Sequence, residues 1–395
     1  MAGYARRGTL FAVVLLAALA CAPAARSPAA PVGAPSAASG SGAASGSGAT
    51  NGGAGTGADG GDALQRLVDG ARQEGTLSFV WGEGTLGGSD GVRRLADGFN
   101  KAYGLNVDVK FTPGPNMAEM APRIAQEYQA GRPAVSDVAV GYAQHVLAMM
   151  DADALEPVDW SAWAPNVQNP AAVAADGRAV VVQSSTTGIT YNSTKLSGSL
   201  APQSLQDLLK PEYKGRIATT PYAASFDNLA VPELWGEQRT TEYVTRLAAQ
   251  VAGLIRCNEI ERIASGEFDA FAIDCSQGNA LRLKAAGAPV EFVIPTDAPL
   301  IVPLYLAVPR RSAHPNAAKL FVNYLLSPEA QAILYETNFQ DAAFVPGSRT
   351  APEIEKLQAA GVRFTTVDVA YYQRNDDKEM ARTLAKFQDI LRKQP

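Results

Sequence analysis

The sequence has very few histidines and cysteines and a single long apolar run, and each shortage excludes a class of protein. Its two histidines, His145 and His314, lie far apart, which argues against a histidine-rich metal site and an HExxH protease. The 34 basic and 39 acidic residues give a net charge of −5, which argues against a nucleic-acid partner. One apolar run is too few for a polytopic membrane protein. The 395 residues, 47% of them hydrophobic, therefore predict a globular protein with a sizeable core.

The N-terminus has the pattern of a secretory signal that ends at a cysteine. Arg6 and Arg7 precede the run TLFAVVLLAALA, which is too short to cross a bilayer as a helix. Small residues at its end directly precede Cys21, and this order resembles a bacterial lipobox. We expect 1–20 to be a signal peptide and Cys21 to carry the lipid of an exported, membrane-anchored lipoprotein that faces the periplasm or the cell exterior. A plain signal peptide with an incidental Cys21 is the alternative.

The segment that follows the cysteine predicts a flexible tether. Residues 21–62 are rich in Gly, Ser and Ala and contain no periodic pattern of large apolar side chains. Such a segment cannot bury enough surface to offset its conformational entropy. A chain of this length has a root-mean-square reach of roughly 35 Å.

From Ala63 onward the pattern predicts an α/β fold in which strands alternate with helices around largely parallel sheets. The run from Ala63 predicts a helix, LSFVW a buried strand, and the next helix ends at Gly104. Farther along, SLQDLLKPEYKG predicts a helix and a turn, and FDNLAVPELW predicts a helix. About 330 residues are many for one core, so we expect two lobes. Strand sequences without helices near 184–190 and 295–304 predict crossovers between lobe 1, 63–184 plus 299–340, and lobe 2, 185–298 plus 341–395.

Four stretches of the second half, taken together, carry a family resemblance. They are PQSLQDLLKPEYKGRIA (202–218), IASGEFDAFAID (263–274), LRLKAAGAPVEFVIP (281–295) and HPNAAKLFVNYLLSPEAQAIL (314–334). In combination they resemble the extracellular solute-binding proteins of bacterial ABC importers, in particular the ferric-ion-type branch.

The resemblance implies a type II periplasmic-binding-protein fold, with a ligand cleft between two α/β lobes that close about a hinge. It also implies capture of a small ligand and delivery to an ABC permease. We expect a monomer without a cofactor, a metal, a catalytic residue or a nucleic-acid partner. The alternatives from other classes are an exported enzyme or a sensor module on the same fold. The enzyme has little support, because no GxSxG motif lies near a histidine.

The ligand site is expected beyond the carboxyl ends of the strands, where open α/β sheets bind small molecules. Three aromatic residues there, Trp81, Tyr142 and Tyr222, would form walls around an organic group. The loop Gly82–Gly87 matches GxGxxG, which we interpret as part of this site rather than as a dinucleotide fingerprint or a plain turn. The full predicted ligand set is Trp81, Glu83, Thr85, Tyr142, Thr219, Thr220, Tyr222, Ser225, Asn258, Asp274, Ser276 and Gln277.

The residues after FDAFAID bear on the identity of the ligand. Iron-binding members of the branch have two adjacent tyrosines there, and this chain has Ser276 and Gln277. Their neutral oxygens suit ferric iron poorly, whereas hydroxyl, amide and backbone N–H donors suit a carboxylate, phosphonate or phosphate. Asp274 would favour an amine on the ligand. We therefore expect an organic anion or a zwitterion, with ferric iron as the alternative.

Two further cysteines, Cys257 and Cys275, follow the ends of two strands. An exported chain favours a disulfide between them. Two buried thiols, or one thiol in the cleft, are the alternatives.

Overall fold

The computed structural model describes residues 56–393, so the predicted signal peptide, Cys21 and most of the predicted tether lie outside the described residues. None of the helices in this part of the chain is long and apolar enough to cross a membrane. The helices are α1 Thr56–Glu74, α2 Gly88–Tyr103, α3 Met117–Gln129, α4 Ala143–Asp151, α5 Phe226–Leu229, α6 Gly236–Ala248, α7 Glu261–Ala264, α8 Gln277–Ala285, α9 Pro315–Leu325, α10 Pro328–Asn338, α11 Ala351–Ala359, α12 Val369–Arg374 and α13 Asp377–Arg392. The strands are β1 Thr76–Trp81, β2 Asp108–Pro113, β3 Ala139–Gly141, β4 Val173–Ala174, β5 Ala179–Thr186, β6 Gly188–Asn192, β7 Ile217–Thr219, β8 Val251–Leu254, β9 Ala270–Asp274, β10 Val290–Val293, β11 Leu300–Ala307 and β12 Thr365–Thr366.

The strands form two five-stranded sheets and one parallel pair. The β9 sheet has the order β10-β6-β9-β7-β8, and the β11 sheet has the order β12-β11-β5-β4, with β3 also paired to β11. β1 pairs with β2, and the amide of Val80 and the indole of Trp81 reach residues 136–138, which lead into β3. The α/β fold is as predicted, but the sheets are mixed rather than mostly parallel. β5 and β6 pair antiparallel with their neighbours, and β11 pairs antiparallel with β3 and β5 but parallel with β12, because the chain passes between the sheets in both directions.

The chain crosses between the sheets at short connections without helices. β5 belongs to the β11 sheet and β6 to the β9 sheet, and only Thr187 separates them. The return runs from β10 to β11 through residues 294–299. The boundaries of the two lobes stay a prediction. In the last segment, β12 pairs with β11 and α12 packs on α4, whereas α13 packs on α5 and α6.

Several local predictions were wrong. Helix α1 begins at Thr56, inside the predicted tether. Adding residues to the end of an existing helix costs less free energy than nucleating a new helix, which explains this extension. The stretch SLQDLLKPEYKG, where a helix and a turn were predicted, forms two short 3-10 turns. There, the carboxylates of Asp207 and Asp297 accept hydrogen bonds from backbone amides, which competes with helix formation. The first turn ends at Leu209, and Pro211 begins the second. FDNLAVPELW is helical only over α5, and α11, α12 and β12 were not predicted.

Candidate functional site

A cavity of about 470 Å³ lies between the two sheets, at the ends of strands and the starts of helices. One side comes from the loop after β1, the starts of α3 and α4, and β5 and β11. The other side comes from the start of α8 and from the chain just after α10. The lining residues are Gly82, Glu83, Gly84, Thr85, Leu86, Asn116, Met117, Ala118, Tyr142, His145, Gln183, Ser276, Gly278, Asn279, Leu304, Asn338 and Gln340. Glu83 is the only residue of this lining that carries an acidic or basic side chain other than histidine.

Three helices begin at this cavity. Asn116 caps α3, Tyr142 precedes α4, and Ser276 caps α8 by accepting a hydrogen bond from the amide of Gly278 at 3.1 Å. The first turns of a helix have free N–H groups and a partial positive charge. Helix starts that meet at one cavity therefore favour an anionic group there.

The residues at the start of α4 are uncharged at neutral pH. His145 Nδ1 accepts a hydrogen bond from the amide of Tyr142 at 3.2 Å, so the neutral ring has its proton on Nε2. Burial lowers the pKa of His145 to about 4, because the charged imidazolium would lose hydration. Burial also raises the pKa of the Tyr142 phenol. Both side chains can thus donate a hydrogen bond to a ligand without a formal charge.

The far side of the cavity is organised by a close approach of two segments. A Cβ atom at Gly278 would lie 2.7 Å from the carbonyl oxygen of Asn338, so the chain after α10 can pack this closely only against a glycine. The Gln340 amide nitrogen donates to Ser276 Oγ, and Gln340 Oε1 accepts from Asn338 Nδ2 at 3.4 Å. The contact fixes the side chains of 338–340 against the start of α8.

Four of the twelve predicted ligand residues line the cavity, namely Glu83, Thr85, Tyr142 and Ser276. The loop that matches GxGxxG contributes Gly82 to Leu86. That these residues contact a ligand stays a prediction.

Trp81 is not a wall of the cavity, which corrects the sequence-based expectation. Its side chain is fully buried, and its indole N–H donates to the carbonyl of Val138 at 2.7 Å and to Ser136 Oγ at 3.1 Å. In β1, burial alternates so that Leu77, Phe79 and Trp81 all face the core.

The residues after β7 also lie outside the cavity lining. Thr219 is buried and donates to the carbonyl of Ala272 at 2.9 Å, while the Thr220 hydroxyl accepts from the amide of Ala224. Ser225 precedes α5 with a positive φ of 62°. The exposed Tyr222 bonds to Cys257 and not to a residue of the cavity. The hydroxyls of Thr219, Thr220 and Tyr222 therefore all bond to protein groups outside the cavity lining.

Three further predicted ligand residues do not line the cavity, namely Asp274, Gln277 and Asn258. The buried Asp274 carboxylate accepts from Thr190 Oγ1 at 2.6 Å, and burial raises its pKa to about 7. Gln277 Oε1 accepts from the amide of Thr186 at 2.7 Å, which connects the start of α8 to β5. Asn258 is exposed after β8.

A disulfide joins Cys257 to Cys275, with Cα atoms 5.8 Å apart. Cys275 directly precedes Ser276, and Asn279 Nδ2 donates to the carbonyl of Cys257 at 3.0 Å. The bond thus attaches the loop after β8 to the first turn of α8, which lines the cavity.

Sequence reasoning missed the six side chains that supply all of the amide and imidazole groups of the lining. They are Asn116, His145, Gln183, Asn279, Asn338 and Gln340. Asn116 could have been found, because it has the position of a helix cap before MAEM. Gln183 could also have been found, as a polar residue that ends an apolar strand run. No local signal marks Asn338 or Gln340.

Comparisons with known proteins agree with this architecture. The sequence profile of the family described as bacterial extracellular solute-binding protein matches residues 135–375. An Fe(3+)-binding periplasmic protein of Serratia marcescens is 24% identical over 284 residues, which is 68% of this chain and 79% of that protein.

Two solved structures have the same fold. The substrate-binding protein of an ABC transporter from Agrobacterium tumefaciens has a TM-score of 0.65 at 19% identity and covers 82% of this chain and 97% of that chain. The periplasmic binding protein AfuA from Actinobacillus pleuropneumoniae, with fructose-6-phosphate bound, has a TM-score of 0.62 at 20% identity and covers 80% of this chain and 99% of that chain. Because the family profile matches more than half of the sequence, the chain belongs to the bacterial extracellular solute-binding proteins, and its function is to bind a solute.

Proposed function

We propose that this protein captures a small organic anion or zwitterion in the cavity between its two sheets and delivers it to an ABC permease. The observation that carries the proposal is the meeting of three helix N-termini, at Asn116, Tyr142 and Ser276, on a lining without lysine or arginine. Backbone N–H groups and neutral donors then hold the anion. The carboxylate of Glu83 would favour a ligand that also carries an amine.

Hinge closure is the proposed mode of capture. The two lobes would comprise 63–184 with 299–340 and 185–298 with the remaining C-terminal residues. Short connections at Thr187 and 294–299 support this, because a few residues between rigid elements can absorb a domain rotation. Residues of both sides line the cavity, so closure would remove a bound ligand from water.

Ferric iron is the second candidate, since the Serratia relative is described as an Fe(3+)-binding protein. Ferric iron prefers several anionic oxygen ligands. In the cavity, Ser276 Oγ already accepts from Gly278 and Gln340, and the lining supplies one carboxylate. Within the described residues, no group of three or more His, Cys, Asp and Glu is arranged to hold a metal ion. The donor set therefore favours the organic ligand.

Binding rather than catalysis is proposed for the same residues. The Ser276 hydroxyl is bonded to the Gly278 amide and the Gln340 side chain, and His145 Nδ1 to the Tyr142 amide. No nucleophile and base are hydrogen-bonded to each other in this lining, which nucleophilic catalysis requires.

The experiment that tests the proposed site blocks the cavity from an exposed position. Ala118 is solvent-exposed in the first turn of α3 and lines the cavity, so Ala118→Trp should fill it without disturbing the core. Ala130, exposed at the other end of α3, gives the matched control Ala130→Trp. By calorimetric titration with carboxylates, phosphonates and their amino derivatives, we expect at least a tenfold loss of affinity in Ala118→Trp alone. Equal affinities in both variants would contradict the proposed site.

Attachment to the membrane through a lipid on Cys21 is also proposed. The signal-like run that ends at this cysteine supports it, and two or three acyl chains anchor a protein stably. Cys21→Ala should move the protein from the membrane fraction to the soluble fraction of fractionated cells. An unchanged membrane-bound share in the variant would contradict the anchor.

A further inference from the structure

One buried oxygen in the cavity lining has no hydrogen-bond partner in the protein. Gln183 is fully buried on β5, three residues from the end of the strand, and lines the cavity. Its Oε1 is one of three buried side-chain atoms without a partner in the described part of the chain, together with Ser185 Oγ and Tyr324 OH. Of these three residues, only Gln183 lines the cavity. Most buried polar atoms are paired, so an open acceptor at a binding cavity needs an explanation.

The orientation of the Gln183 amide is set by a neighbour. Its Nε2 donates to the backbone carbonyl of Gln340 at 3.1 Å. If the Gln183 amide were flipped, its Oε1 would face the carbonyl oxygen of Gln340, and neither atom could donate a hydrogen bond. The Gln183 nitrogen must therefore face Gln340, and its oxygen must face away from it. The acceptor is therefore held in place before a ligand arrives.

The side-chain amide nitrogens opposite Gln183 already have acceptors in the protein. Gln340 Nε2 donates to Ser276 Oγ, and Asn338 donates to Gln340 Oε1. Asn279 donates to the carbonyl of Cys257. Leu304, which is paired with Gln183 across β5 and β11, adds an apolar surface beside the oxygen. A ligand group that reaches this corner thus meets the unpaired Gln183 oxygen next to a hydrocarbon wall.

We propose that Gln183 is a specificity-determining residue whose amide oxygen accepts a hydrogen bond from an N–H or O–H group of the ligand. The ligand is then an amino- or hydroxy-substituted acid: its anionic end meets the helix N-termini, and its donor meets Gln183. This inference rests on the proposed function and narrows its ligand class. A plain alkyl acid of the same length would leave the oxygen desolvated and unpaired, which corresponds to about 10- to 100-fold weaker binding.

Two matched series of acids test the inference on the full-length chain by calorimetric titration. The first is alanine, lactate and propionate, and the second is 2-aminoethylphosphonate, 2-hydroxyethylphosphonate and ethylphosphonate. Within each series the members differ in whether they carry an ammonium, a hydroxyl or neither group. Gln183→Met removes the acceptor at similar length, and Gln183→Leu removes it with a second apolar side chain if the methionine variant folds poorly. Ser185→Ala is the control, because it removes the other unpaired oxygen of β5 from a residue that does not line the cavity.

In the wild type, we expect a donor-bearing member of at least one series to bind at least tenfold more tightly than the plain acid. Gln183→Met and Gln183→Leu should abolish this preference and change the affinity for the plain acid less than about threefold, while Ser185→Ala should keep the preference. A preference that survives Gln183→Met, or a wild type that binds plain and substituted acids equally, overturns the inference but leaves the proposed function intact. A wild type that binds no acid of either series overturns the proposed ligand class, and this inference with it.

Discussion

Removal of the disulfide between Cys257 and Cys275 should destabilise the folded protein by about 3 kcal/mol. The bond closes a loop with a sequence separation of 18, and the chain-entropy relation gives about 3 kcal/mol for a loop of this size. Unfolding entropy scales to ~0.7 kcal/mol/K for a folded part of about 340 residues, so the melting temperature should fall by about 4 °C. The double variant Cys257→Ala/Cys275→Ala measures this in a thermal melt.

The same variant should also weaken ligand binding, because the bond positions the first turn of α8. Asn279 would keep its hydrogen bond to the carbonyl of Cys257 only while the loop after β8 stays in place. The reductant-treated wild type should match the double variant, and the double variant itself should not respond to reductant. The reasoning is refuted if the wild type, with both thiols shown free by alkylation, melts at its original temperature.

Two further predictions concern buried groups that the sequence had assigned to the ligand site. Burial raises the pKa of Asp274 to about 7 from 3.8, so between about pH 4 and 7 the folded protein binds more protons than the unfolded chain and loses stability as the pH rises. Asp274→Asn should remove this loss, which is at most about 1.4 kcal/mol per pH unit, when the free energy of unfolding is measured by urea titration at pH 5 and 8. The same change of stability with pH in both proteins would count against this prediction. Trp81→Phe should lose about 2 kcal/mol of stability, because the buried Val138 carbonyl and Ser136 hydroxyl lose the indole donor and the smaller ring leaves a cavity, while ligand affinity stays within about threefold; a tenfold loss of affinity at unchanged stability would instead make Trp81 part of the site.

The order of helices and strands could largely be predicted, because local patterns determine it. Gly104 ends α2 in the left-handed conformation that glycine adopts readily, and apolar runs such as LSFVW lie in strands as expected. The parallel or antiparallel sense of the strands could not be predicted, since it depends on how often the chain crosses between sheets. The pairing of β11 with β5, which are far apart in sequence, has no local signal.

The candidate site could be predicted only where it is made of a continuous loop. Glu83, Thr85, Tyr142 and Ser276 follow strands directly and line the cavity. Thr219 follows the same rule, but a carbonyl of the neighbouring strand takes its hydroxyl. Gln340 reaches the cavity because Gly278 lets a distant segment approach, and that contact is tertiary.

The central claim, that the cavity binds a small organic anion or zwitterion rather than bare ferric iron, is tested most directly by a thermal-shift screen. The full-length chain is melted with organic acids, amino and hydroxy acids, neutral sugars and ferric citrate. A ligand at 100 times its Kd adds about 2.7 kcal/mol of stability, which is a shift of about 4 °C here. We predict this shift for at least one amino- or hydroxy-substituted acid. A shift with ferric salt that citrate alone does not reproduce, without a response to any organic acid, would contradict the account.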